Sequence, residues 1–478
     1  MSEIIDNSSS RRNFMFGSAV AAGAVGLVSQ LASAGVAACD SGDTTPTVVP
    51  RVFDIMQYGA HRSDQPWNWN MCESNSAFAG AINAAKLAGG GIVFVPRGFY
   101  LVTSSILIDA SNIRLVGEGR GITVIAGVDV SGAIISFNTA VTDTQVTNCS
   151  VEDLTLYGSS VPVRAADHAI AMYHTARCTL RNIEFWSNLK TTGDSSLLYI
   201  ANSWVNHFYD LHFVGNASYA SLHIHRDSLE HSGLTSNALY FFGCNFASSG
   251  TPNAVVIDVG ADEGTISGEV YSFHGITCQA YSGTGFWIKR GQGVDIQGFY
   301  GEGNNVDIRL GDHADASFAR SVSIENWRTL SSNIGIHLDQ CTHVKIGVGM
   351  ARSTIRPVYV GRASGVFLFA RNAKSESLVS FDPTYARART GVMIFDGDAH
   401  AYPDWPAVPN AMGIIMKSDA DDSNHFKLFI NADGKVCTEK YVINSTYLQP
   451  ESPPNIVVPC TLDSSGHCTC CACAGSDE

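Results

Sequence analysis

The chain has 478 residues, with 44 Asp and Glu against 30 Lys and Arg, and so a formal charge of −14. That balance does not supply the concentrated positive surface that duplex nucleic acid requires, so no nucleic-acid partner is expected. With 45% hydrophobic and only 15% charged residues, general disorder is excluded too, because the apolar content can offset the entropy of ordering.

Residues 1–38 read as a targeting segment. Ser10-Arg11-Arg12-Asn13-Phe14-Met15 precedes an uncharged Ala, Gly and Val rich stretch over 16–38, the pattern of a twin-arginine signal. Cleavage could follow Ala32-Ser33-Ala34. Alternatively Val36-Ala37-Ala38-Cys39 is similar to a lipoprotein box, in which Cys39 would carry a lipid. The protein is therefore expected to be exported: periplasmic, secreted or lipid-anchored at the cell envelope, with Cys39 as its one link to a membrane. Residues 39–50, rich in Asp, Gly, Thr and Pro, form a linker. Of the 13 cysteines, Cys72, Cys149, Cys178, Cys244, Cys278, Cys341 and Cys437 are scattered, mostly among apolar residues, as small core residues are. Cys460, Cys468, Cys470, Cys471 and Cys473 crowd a tail over 459–478, expected to be flexible, with local disulfides or a thiolate metal site as alternatives.

From Arg51 the pattern changes. Asn75-Ser76 can cap a helix over 76–88, with Ala77, Phe78, Ala81, Ile82 and Ala85 at helical spacing and a Gly89-Gly90-Gly91 stop. Ile92-Val93-Phe94-Val95-Pro96 is a buried strand. No helical periodicity follows for most of the chain, which instead repeats a pair of short strands. Val151-Glu152-Asp153-Leu154-Thr155-Leu156 is followed by Ile170-Ala171-Met172, Leu180-Arg181-Asn182-Ile183-Glu184-Phe185 by Leu198-Tyr199-Ile200, and the pattern persists to Val344-Lys345-Ile346 with Val358-Tyr359-Val360. Each unit cannot bury its apolar face alone, so stacked coils are expected: an all-β, right-handed parallel β-helix over 51–395 with the helix capping its N-terminal end. Residues 396–458 read as a Pro-rich linker and a small antiparallel β module, with strands on either side of Asp433-Gly434.

Val52-Phe53-Asp54-Ile55 with Tyr58-Gly59-Ala60, then Gly89-Gly90-Gly91-Ile92-Val93-Phe94-Val95-Pro96-Arg97-Gly98-Phe99-Tyr100 and Ile113-Arg114-Leu115-Val116-Gly117-Glu118-Gly119, resemble the opening of the pectate-lyase-like superfamily with rhamnogalacturonase and epimerase-type domains. Asn237-Ala238-Leu239-Tyr240-Phe241-Phe242-Gly243-Cys244-Asn245-Phe246 and Gly298-Phe299-Tyr300-Gly301-Glu302-Gly303-Asn304 are similar to coils of carbohydrate-active and tailspike-like members. The resemblance implies a polysaccharide partner, including uronic-acid-containing chains. It does not imply a reaction: the solenoid lacks the Asp pair of the polygalacturonase-like pattern, and Arg352-Ser353-Thr354-Ile355-Arg356-Pro357 does not match the calcium pectate lyase run. No cofactor is expected, and calcium has no supporting motif.

Because strand side chains alternate, the second strand of each coil yields an outward set: Tyr173, Tyr199, His223, His225, Asp258, Trp287, Lys289, Asp307, Arg309, His337, Asp339 and Tyr359. Parallel coils stack about 4.8 Å apart, so these should form one column, with Trp287, Tyr199, Tyr173, His225, His337 and Tyr359 as substrate-binding residues. The first-strand face, with Glu184, Trp186, His212, Asn245 and Gln279, is sparser. Glycoside hydrolysis needs two carboxyl groups roughly 5 to 9.5 Å apart, for which Asp307, Asp339, Asp258 and Glu302 are candidates. Elimination from a uronic acid needs a base and positive charge at the developing enolate, for which Lys289, Arg309, His223, His225 and Tyr199 have the right chemistry. A metal at His223 and His225 would need a third ligand such as Asp258, and none is assigned. The expectation is an exported polysaccharide-degrading lyase or glycoside hydrolase, or alternatively a non-catalytic glycan-binding or surface-assembly protein. Sugar identity, endo or exo attack and oligomeric state stay open.

Overall fold

The computed structural model describes residues 51–64, 72–139, 144–158, 166–187, 189, 192–226, 236–247, 250–259, 270–315, 318–352, 354–372, 379–381, 390–396, 413–417, 424–430, 436–443 and 448–450. The leader, the Cys39 motif, the 39–50 linker, the Asp433-Gly434 turn and the Cys-rich tail lie outside the described residues.

The chain winds into a right-handed parallel β-helix. The sequence reading places two strands in each coil, whereas each coil has three, one in each of three parallel sheets. A single residue makes the difference. Asp153, Asn182, Asp210, Gly243, Gly275, Gly298 and Asn326 have φ between 50° and 71°, the left-handed region that Gly, Asn and Asp enter most readily. At each of them a segment that reads as one strand bends, passing from a first-strand sheet into a middle sheet. The bend residues stack because the strands before them pair in register, Arg181 with Tyr209, Tyr209 with Phe242, Phe242 with His274 and His274 with Gln297. The second-strand sheet runs from Ile106–Ile108 to Val379–Phe381. It thus begins two strands before His168–Tyr173, where the repeat first becomes clear in sequence.

In-register stacking puts like residues above like. Phe208, Phe241 and Phe273 stack at ring separations of 4.2 and 4.6 Å, and Phe185, Phe213 and Phe246 at 4.5 and 4.4 Å. All six rings are fully buried. Phe241→Ala should therefore cost about 3 to 5 kcal/mol, since it empties a space walled by a phenyl ring on each side; denaturant unfolding measures it.

The helix spans Asn75–Leu87, and Ser74 takes the N-cap position without a side-chain cap bond. Glu73 instead accepts from the Asn75 N–H at 2.6 Å. Its Ala77, Phe78, Ala81, Ile82 and Ala85 face is buried, with Phe78 edge-on to Tyr100 at 6.3 Å, so it covers apolar residues that the first coil would otherwise expose. At the other end the strand Thr390–Asp396 begins an antiparallel series through Gly413–Lys417, Asn424–Ile430, Val436–Ile443 and Leu448–Pro450.

Candidate functional site

The second-strand sheet brings most of the expected residues together. Tyr199 pairs with His223, His223 with Val256, Val256 with Trp287, Trp287 with Arg309, Arg309 with His337 and His337 with Tyr359. Tyr173, His225 and Asp258 lie two residues further along their strands, and a register shift at Asp258 brings Arg290 beside it. The column is packed, not open. His168 stacks on Tyr199 at 4.6 Å, the Arg309 guanidinium lies 4.7 Å from the Trp287 ring centroid, Trp287 Nε1 donates to the Gly311 carbonyl at 3.1 Å, and His337 and Tyr359 are 5.1 Å apart. Trp287 therefore already has a cation on its ring.

Four expectations need correction. Asp307 does not face outward: it is fully buried, and pairing on both sides passes from Val306 to Ile308. Its carboxylate turns into the corner between the middle and second-strand sheets, where Asn304 Nδ2 donates to Oδ1 at 2.7 Å. A Cβ at Gly301 would come within 2.5 Å of that oxygen. Burial pushes the Asp307 carboxyl up to about 7, against the pull of Asn304 and Ser332. Glu302 closes a middle-sheet strand, Tyr300–Glu302, and accepts from the Tyr300 hydroxyl at 2.7 Å and from Gln279 Nε2 at 3.0 Å. His223 has both ring nitrogens sealed and without hydrogen bonds; burial, then the charges of His225, His168 and Lys289, hold its pKa well below the ordinary value. As placed, it cannot reach a substrate proton. Finally, Asp258 is not one of a matched pair of acids: it faces Lys289 Nζ at 3.5 Å and Arg290 Nε at 3.4 Å.

Beyond the strands, the sequence reading missed His313. It lies in a short 3-10 turn, His313–Asp315, just after the strand Val306–Leu310, where no periodicity marks it. His313 Nδ1 and Asp339 Oδ1 are 2.5 Å apart. Arg309 donates to the other oxygen of Asp339 through Nε at 3.2 Å and Nη2 at 2.5 Å, and to Asp312 at 3.0 Å. Asp339 is 1% exposed and the His313 side chain 42%. Burial works against the Asp339 charge, but the Arg309 hydrogen bonds, the charge of His337 and the His313 hydrogen bond outweigh it and hold the carboxyl below its usual range. A buried, ionised carboxylate thus orients a solvent-facing imidazole, an arrangement suited to moving a proton. Asp312, His313 and Asp339 also place their ligand atoms within 4.8 Å of one another. Arg309 spans both carboxylates, however, so its guanidinium already supplies the positive charge a metal would bring.

The first-strand residues lie elsewhere. Glu184 and His212 are adjacent on the middle sheet, 3.6 Å apart, beside an open groove of about 500 Å³. Trp186 stands 48% exposed and edge-on to Tyr157 at 6.4 Å.

Residues 72–260 match the family described as rhamnogalacturonase A/epimerase, pectate lyase-like. That segment is similar to the pectate-lyase-like family, and the three-sheet coil seen here is a fold of that kind. Solved structures extend the likeness along the rod. ORF18 of Geobacillus virus E2 aligns with a TM-score of 0.54 at 14% identity, covering 87% of this chain and 83% of that one. PfbA, a surface adhesin of Streptococcus pneumoniae, aligns with a TM-score of 0.51 at 14% identity, covering 77% and 98%. At such identity both show a shared fold alone. No curated protein matches the sequence. The parallel β-helix fold is common ground between the sequence and these comparisons.

Proposed function

We propose that the protein is an exported polysaccharide lyase that acts on a uronic-acid-containing chain laid across the second-strand face. The observation that carries this reading is the His313 imidazole held by buried Asp339 beside Arg309 and Trp287. In this reading His313 takes the proton from the carbon next to the uronate carboxyl, and the electrons of that C–H bond form the new C=C bond. The C–O bond to the neighbouring sugar breaks, its pair leaving with the oxygen, which takes a proton from water. Arg309 fixes Asp339, while Lys289 and Arg290 on the adjacent coil set two positive charges against the single carboxylate of Asp258, a balance that favours the enolate-like transition state. Hydrolysis is the weaker reading here: Asp307 is buried, and Asp312 and Asp339 are both tied to one guanidinium. A non-catalytic glycan-binding role is the second reading, supported by the burial of Asp307 and His223, which leaves few acid or base groups on that face.

Incubation with polygalacturonate, alginate and neutral glucans separates the outcomes. Ultraviolet absorbance from unsaturated uronates is the expected result; reducing ends without that absorbance would make the protein a hydrolase. Binding with neither product would make it a glycan-binding protein.

A further inference from the structure

A second feature of the rod has no part in that chemistry. Along the row of bends between the first-strand and middle sheets, Asn182 and Asp210 give way to Gly243, Gly275 and Gly298 before Asn326 restores a side chain. The three glycines keep the same left-handed backbone, with φ of 64°, 65° and 71°, so conformation alone does not call for them: Asn holds it at the neighbouring positions. What the glycines remove is bulk. A Cβ at Gly243 would meet nothing within 4 Å, and one at Gly275 only the Gly243 nitrogen, at 4.0 Å. The loss of side chains leaves a floor, and the groove of about 500 Å³ lies over Gly243 and Gly275. That volume is in the range of ligand sites, roughly 300 to 1,000 Å³.

The two sides of the floor differ in chemistry. On the first-strand side, the residue before each bend is aromatic: Tyr209, Phe242 and His274 stack at 5.3 and 5.1 Å, nearly parallel, one ring per coil. On the middle-sheet side stand His212, Asn245 and Thr277, also one per coil. Glu184 and Asp210 lie at one end, with Arg120 bonded to Asp210 at 3.1 Å. A row of stacked flat rings beside a polar wall, both repeating with the coil, matches a ligand that is itself a linear repeat with flat ring faces and hydroxyl-bearing edges. Two carboxylates against one already paired guanidinium would repel a chain of carboxylates but accept hydrogen bonds from hydroxyl groups.

We infer that this glycine-floored groove is a second glycan-binding site, selective for a neutral polysaccharide running parallel to the rod axis and separate from the second-strand face. It does not depend on the proposed lyase activity. The test measures binding of cello-, xylo- and mannohexaose by calorimetry to the full chain and to Gly243→Asn/Gly275→Asn, which refills the floor with the residue found at Asn182 and Asn326. The expected result is binding of at least one neutral hexasaccharide by the unmodified protein, weakened tenfold or more in the double variant. Phe242→Ala, which removes one ring of the row, should also weaken it. Circular dichroism and product release from the uronate polymer should be unchanged in the double variant. No binding of any of the three, or equal affinity in the double variant, would overturn the inference; absence of lyase product alone would not.

Discussion

His313→Ala should lower the rate of unsaturated-product release by about 100- to 10,000-fold, the usual contribution of a positioned general base, while leaving the far-ultraviolet circular dichroism unchanged. The side chain is 42% exposed, so its removal opens no core cavity. Asp339 loses one hydrogen-bond partner but keeps Arg309. Initial rates on the polymer that proves active, with a melting curve beside them, make the check. A rate within threefold of the unmodified protein would remove His313 from the reaction and end the elimination reading as stated.

Asp307→Asn should act on stability and not on turnover. The Asp307 carboxyl titrates at about 7 in the folded protein, against an ordinary value of 3.8. The folded state therefore holds a proton that the unfolded chain has already released. Between those values the unfolded state binds fewer protons, so stability falls as pH rises from about 4 to about 7 and is then level. The full difference corresponds to at most about 4 kcal/mol. Asn keeps an oxygen to accept from Asn304 and cannot ionise, so the variant should lose this pH dependence and gain up to that amount above neutral pH. Denaturant unfolding at pH 5 and pH 8 measures the difference. An equal gap between the two proteins at both pH values would mean that the carboxylate is not desolvated as the structure shows.

The contrast between these two residues marks what sequence patterns reveal here. Period-two alternation placed Tyr199, His223, Trp287, Arg309, His337 and Tyr359 in one column because each sits in a strand whose neighbours pair residue for residue. The same alternation assigned Asp307 to the outside, where it fails. That position is occupied by Gly285 and Gly335 on the adjacent coils and by Ala254 and Ser221 on earlier ones, all small residues turned into a corner. Alternation is a property of straight strands, and corners break it. The bends at Asn182 and Gly243 were hidden for the same reason, since the segment on either side stays apolar and reads as one run. His313 lies in a 3-10 turn with no partner strand, so only a folded chain brings it to Asp339, 26 residues away.

The buried cysteines have a further consequence. Cys149, Cys178, Cys244, Cys278 and Cys341 are each at most 2% exposed and occupy different coils, and all are free thiols. Each is a chemical reporter fixed at a known height in the rod. Because a solenoid coil contacts only its neighbours, opening can begin at one end and spread. The order in which an alkylating reagent labels these five thiols in the native protein would read out, coil by coil, where the rod breathes and in which direction it unwinds.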